Sequence, residues 1–368
     1  MEPPIALPLV HLVRMTDDTG LLQHARHDVP DRRHGYCLDD NARALALVAR
    51  LASLSGKPDP NLIALASTYA AFVDHAWEAS AGGTGRFRNF MSFGRQWLPD
   101  GGGDVADEEA HARAVWALAH VAVAPLPGLA GWAVERLAEV LRPPSLLLHH
   151  RSPRAWAVTL LAVEALCSGR PVQPSAAFAA VEDLANDTAV ELANRLLARF
   201  RAASRADWPW FEDALAYDNA RLCEGALAGA HHRADLREIG LASLDWLCRV
   251  QTGAGGVMRP YGTEGFGCAG KTMAAFDQQP LDAWATVDAA TRAWRLTGNE
   301  RWHGEARRAH GWFTGSNELG TVLGNREDGG CYDGLHPDRA NRNRGAESTL
   351  AWLHADLTWS SAEGTTGR

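Results

Sequence analysis

The stretch HGYCLDDNARALALVARL, residues 34–51, sets two adjacent acids, an amide and an arginine at the mouth of an Ala/Leu-rich helix. The tetrapeptide DNAR of residues 40–43 returns at residues 218–221, in YDNARLCEGALAGA. One copy could be a capping accident, but two copies at the same helical position point to an architecture that reuses helix mouths. Four further segments share the pattern of a polar start and a nearly continuous small apolar body. They are DEEAHARAVWALAHVAV from residue 107, SPRAWAVTLLAVEAL from 152, QQPLDAWATVDAATRAW from 278 and NRGAESTLAWLHA from 343.

Between these segments lie helices with one charged face, such as NLIALASTYAAFVDHAWEA, ELANRLLARFRA and RADLREIGLASLDWLCRVQ. A helix that is apolar on most sides is buried on most sides, and one with a charged face sits at the surface. Six inner helices alternating with outer ones describe an all-α (α/α)6 toroid, the starts recurring every 45 to 70 residues or so, as a looped helical hairpin would. The two DNAR copies are then expected at one end of the ring, on opposite inner helices. An open α-solenoid also stacks helix pairs, but with shorter loops. Here GGTGRFRNFMSFGRQWLPDGGGDVADEE, TGAGGVMRPYGTEGFGCAGKTMAAFDQQ and the run from Phe313 to Ser348 are long and rich in Gly, aromatic and charged residues, which favours a loop-lined cup. Residues 1–360 are expected to form a single toroid domain and 361–368 a flexible tail.

The net charge is −8 with scattered acids, so neither nucleic acid nor an anionic membrane is an expected partner. No apolar run reads as a membrane span. Six cysteines form no C-x-x-C pair, and the N-terminus lacks a basic leader, so reduced thiols and a cytoplasmic location are expected. No metal or cofactor is expected, and no phosphate-cradling glycine loop or G-x-S-x-G elbow is present.

The candidate chemistry is carried by carboxylates. Asp39 is a natural N-cap, with Asp40 in the first turn, where free N–H groups favour the ionised form; Asp40, supported by Asp39, is therefore the expected base. Glu212, in DWPWFEDALAYDNAR among Trp208, Trp210 and Phe211, has the surroundings that keep a carboxyl protonated and is the expected acid. Asp218, Asp333 and Glu347 are held in reserve. Arg43 and Arg221 would hold carboxylates or substrate hydroxyls. Trp208 and Trp210 would stack on sugar faces, and Asn41, Asn219, Gln279 and Asn343 would bind hydroxyls. The loop of residues 325–348 should fold over the cup. Inversion, with the pair about 6.5 to 9.5 Å apart, is the favoured outcome. The pairs His149/His150 and His231/His232 keep open a sugar epimerase or isomerase, and the aromatics a non-catalytic glycan-binding domain.

The stretches HLVRMTDDTGLLQHARHDVPDRRHGYCLDDNARAL, WPWFEDALAYDNARL, FDQQPLDAWA and GGCYDGLHPDRANRNRGAESTLAWLHA resemble the α-helical region often joined to bacterial glycosyltransferases, a six-hairpin glycosidase-like domain. The resemblance spans roughly residues 10 to 356. It implies a carbohydrate-active enzyme, most simply a glycoside hydrolase, and an association with a glycosyltransferase.

Overall fold

The computed structural model describes residues 7–55, 59–79, 85–99, 105–172, 174–263, 267–270 and 274–366. Within them the chain forms the helices α1 (Val10–Met15), α2 (Leu38–Ser55), α3 (Pro60–Ala76), α4 (Val105–Val123), α5 (Leu129–Leu141) and α6 (Pro153–Ser168). The second half continues with α7 (Ala176–Ala203), α8 (Ala220–Gly229), α9 (Asp235–Val250), α10 (Pro280–Thr297), α11 (Glu300–Phe313) and α12 (Ala346–Thr366). The even-numbered helices pack each on the next, and α12 returns to α2, so the ring is closed and the open solenoid is excluded. Helices α3, α5, α7, α9 and α11 pack outside their inner partners, and α1 completes the sixth hairpin against α12.

Sequence chemistry accounts for the individual elements. Ser152 caps α6 by accepting from the Ala155 amide, with Pro153 at the first helical position where a missing N–H costs nothing. Asp59 and Pro60 do the same for α3. Every residue of α8 is buried, because it is packed between α6, α10 and its own outer helix α9. Its Gly225 is obligatory, since a Cβ there would lie 2.4 Å from the Ala157 Cβ of α6. Helix α12 is locked to both ring neighbours by His354, whose Nε2 donates to the Arg43 carbonyl while its ring stacks on Trp284 of α10.

Short antiparallel pairs fix the loops at the helix starts. Tyr36–Cys37 pairs with Phe90–Met91, and Gly334–Leu335 with Ala340–Asn341. The segment expected as a tail continues α12 as far as Thr366; Ala362 is buried and Glu363 accepts from His303 of α11, which holds the last turns against the outer layer. Residues 367 and 368 lie outside the described residues.

Candidate active site

The starts of α2, α4, α10 and α12, with Tyr217 just before α8, surround a cavity of about 350 Å3. Five carboxylates line it, those of Asp39, Asp40, Glu109, Asp333 and Glu347, and among the described residues no arginine or lysine does. The charge that balances them lies one layer below. Arg43, 1 % exposed, directs its guanidinium at three of these acids: Nη2 is 3.0 Å from Asp39, and Nη1 is 3.3 Å from Asp40 and 2.9 Å from Glu347. Arg113 of α4 adds a second contact to Asp39 at 2.5 Å and reaches Asp218 at 3.2 Å. Helices α2 and α8 are opposite in the ring, so this bridge puts the two DNAR copies at the same end of it.

The environments of the adjacent acids differ from the sequence expectation. Helix α2 begins at Leu38, so Asp39 lies inside the first turn and spends its carboxylate on two guanidiniums instead of capping. Asp40 is 5 % exposed. Burial pushes its carboxyl up to about 7, with Asp39 and Glu347 adding to the rise and Arg43 opposing it. The Cys37 thiol donates to Asp40 Oδ2 at 3.1 Å. Helix-start N–H groups were expected to keep Asp40 ionised; loss of water outweighs them, so its carboxyl holds its proton into the neutral range.

Glu212 is corrected in the opposite sense. It does not line the cavity, and its carboxylate meets Arg154 at 2.8 Å. The aromatic residues around it in sequence turn away: Trp208 donates its indole N–H to the Glu212 carbonyl, and Trp208 and Trp210 pack on Trp246 of α9. These two tryptophans are core residues and present no sugar platform. Asp218 has no exposed surface and is held between Arg113 and Arg221. Arg221 is likewise buried, paired with Asp218, Glu224 and Asp288 and stacked over Trp284. Asn41 and Asn219 are staples: Asn41 accepts from the Leu21 amide and donates to the Cys37 carbonyl, and Asn219 accepts from Ala216 and donates to Asp282.

The C-terminal loop does supply the cup. It carries Asp333 and, at the start of α12, Glu347. Burial raises the Asp333 carboxyl, while the Asn343 amide donates to it at 2.9 Å. The same amide donates to Nδ1 of His24 at 3.1 Å, so Asn343 orients two cavity-lining groups. Gln279, immediately before α10, lines the cavity.

Glu109 was missed by the sequence reading. Burial raises its carboxyl, which accepts from Ser152 Oγ at 2.7 Å and from the Tyr217 hydroxyl. The available signal was positional, since DEEAHARAV opens α4 as LDDNARAL opens α2. Of the histidine pairs, His150 is buried with its imidazole pushed down to about 4, and His231 and His232 lie in the turn after α8. His24 is the one histidine lining the cavity among the described residues. The trio His11, Asp28 and Asp328 has ligand atoms close enough for a metal, but Arg344 already pairs with both acids and its carbonyl bonds His11.

Comparison with solved structures settles the architecture. A cellobiose 2-epimerase from Spirochaeta thermophila superposes with a TM-score of 0.66 at 12% identity, covering 97% of this chain and 94% of that one. The chain has the (α/α)6 toroid fold. A sugar epimerase from a ruminal bacterium gives 0.62 at 12% identity, over 95% and 94% of the two chains. A family 76 α-mannanase from Bacteroides thetaiotaomicron gives 0.56 at 12% identity, over 90% and 88%. No protein-family model and no curated protein matches the sequence. Among the described residues no helix is long and apolar enough to cross a membrane.

Proposed function

We propose that the protein is a glycoside hydrolase acting on an oligosaccharide or glycoside, with Asp40 as general acid and Glu347 as its ionised partner. The observation that carries this reading is one buried guanidinium, Arg43, holding carboxylates of unequal character. Asp40 is enclosed and raised to about 7, so it retains a proton to give to a leaving oxygen. Glu347 is 42% exposed in its side chain, and only Oε2 is engaged by Arg43. Its Oε1 has no partner among the described residues, and Glu347 lines the cavity, which leaves that oxygen for a sugar carbon or a water. Asp39, gripped by two arginines, serves to position Arg43.

The Asp40 and Glu347 oxygens meet on a common nitrogen, nearer than the roughly 6.5 to 9.5 Å that admits an in-line water in inverting hydrolysis. This favours retention, with Glu347 as nucleophile, over the inversion expected from the sequence. The epimerase alternative needs two bases facing one sugar carbon. Its support is weaker, because the cavity offers one histidine. A glycan-binding role without catalysis leaves the split between Asp40 and Glu347 without a use.

The test is a screen of the purified protein against oligosaccharides for reducing-sugar release, with product anomers followed by NMR. Activity in the native chain that is lost in both Asp40→Asn and Glu347→Gln supports the reading. Epimerised but uncleaved sugar, or full activity in both variants, defeats it. We also read the protein as cytoplasmic, a reading supported by six cysteines that all remain free thiols. The association with a glycosyltransferase rests on the sequence resemblance alone and is tested by whether a glycosyltransferase co-purifies with the tagged protein from its native host.

A further inference from the structure

At the opposite end of the toroid axis, the same inner helices enclose a second cavity of about 380 Å3. Four guanidiniums line it, those of Arg50, Arg221, Arg292 and Arg295, against the three carboxylates of Glu164, Glu224 and Asp288. The acids are already taken. Arg221 pairs with Glu224 and Asp288, and Arg292 pairs with Glu164 and Glu224. Arg50 has only neutral partners, donating to His354 Nδ1 at 2.8 Å and Thr358 Oγ1 at 2.9 Å. Because His354 Nε2 donates to a carbonyl, its Nδ1 is the acceptor and the ring is neutral. Arg295, at the rim, makes no ion pair among the described residues.

Orphaned donors point the same way. Thr291 Oγ1, Arg221 Nη2 and Arg292 Nε are buried without any acceptor, on residues that all line this cavity. Thr291 is 1 % exposed and Arg221 3 %. A buried donor left unmade is destabilising, so these three atoms, on residues around one space, favour an acceptor there. Among the described residues Arg50 and Arg295 make no direct ion pair, although Asp288 acts on both at longer range, and the lining holds one more guanidinium than carboxylates, which favours an anionic acceptor. Guanidinium forks approaching from α2, α8 and α10 suit a tetrahedral oxyanion, which accepts on several sides at once. The apolar wall of Trp116, Leu161 and Leu296 leaves room for more than the anion alone. The C-terminal ends of the inner helices oppose a negative charge, which keeps affinity modest, yet that effect fades within a turn.

We propose that this cavity is a binding site for a phosphate group, borne by free phosphate or by a small phosphorylated metabolite, separate from the carboxylate cup. The full-length protein is titrated calorimetrically with inorganic phosphate and with glucose 6-phosphate, at constant ionic strength set by chloride. Wild-type protein should bind phosphate saturably. Arg295→Gln and Thr291→Val should each weaken binding at least about fivefold; in phosphate-free buffer the melting temperature should be unchanged in Arg295→Gln, since Arg295 makes no ion pair, and unchanged or raised in Thr291→Val, which removes the unmet donor. Tighter binding of glucose 6-phosphate than of phosphate identifies a phosphorylated metabolite as the occupant; equal or weaker binding identifies free phosphate. Absence of saturable heat with both probes, or equal binding by wild type and both variants, overturns the proposal.

Discussion

The two ends of the ring are built from the same six helices and carry opposite polarity. At the helix starts, five carboxylates face the cavity and the arginines lie beneath them; at the far end, four guanidiniums against three carboxylates face a cavity of similar size. Between them runs a line of ion pairs, from Glu347 at the cup through Arg43, Asp39, Arg113, Asp218 and Arg221 to Asp288. The difference follows from parallel inner helices, whose N-terminal ends converge on one face and whose C-terminal ends converge on the other. The first stabilises acids and the second cations. An (α/α)6 ring therefore has a built-in electrical direction, and at Asp40 burial works against it.

The sharpest way to break this comparison is at the cup. Asp40→Asn and Glu347→Gln should each lower turnover by about 10² to 10⁴-fold on a cleaved substrate, as loss of general acid or nucleophile does, with the circular dichroism spectrum retained. If only one of them matters, the pair is wrong and Glu109 and Asp333 become the next residues to replace. Next in size is the axis itself. Arg113→Ala strips one partner from Asp218, which has no exposed surface, and should destabilise by about 3 to 5 kcal/mol in urea unfolding. The rim substitution Arg295→Gln at the far end should change stability by less than about 0.5 kcal/mol.

A pH series sharpens the comparison further. Asp40 and Asp282 are both raised by burial from 3.8 to about 7 in the folded protein. The native state then holds more protons than the unfolded chain between roughly pH 4 and 7. The stability these groups contribute is full below that window and is lost as pH rises through about 7. Asp282→Asn should flatten that fall, read as a smaller drop in melting temperature from pH 5 to pH 8. The same Asp40 value places the alkaline limb of kcat/KM near pH 7. The smallest effect is expected at Glu212→Gln, which exchanges one partner of Arg154 outside the cup and should alter turnover by less than about tenfold. A loss as large as that of Asp40→Asn would return Glu212 to the active site.

Much of this was legible in the chain. The six polar-mouthed apolar segments begin α2, α4, α6, α8, α10 and α12, because a helix buried on every side has to be written in small apolar residues along its whole length. The cup carboxylates Asp39, Asp40, Asp333 and Glu347 were legible for a related reason: acids at helix mouths and in long glycine-rich loops have few other uses. What a carboxylate does once there was not legible. Glu212 looks apolar in sequence because three aromatic residues flank it, but neighbours in a chain point in different directions, and its carboxylate found Arg154 from another helix. Asp40 looks ionised by its helix start, yet only the closed ring could bury it and bring Glu347, 307 positions along the chain, onto the same arginine. Sequence determines periodicity and therefore which faces are hidden; charge state depends on desolvation and on partners brought from other helices, and those exist only when the ring has closed.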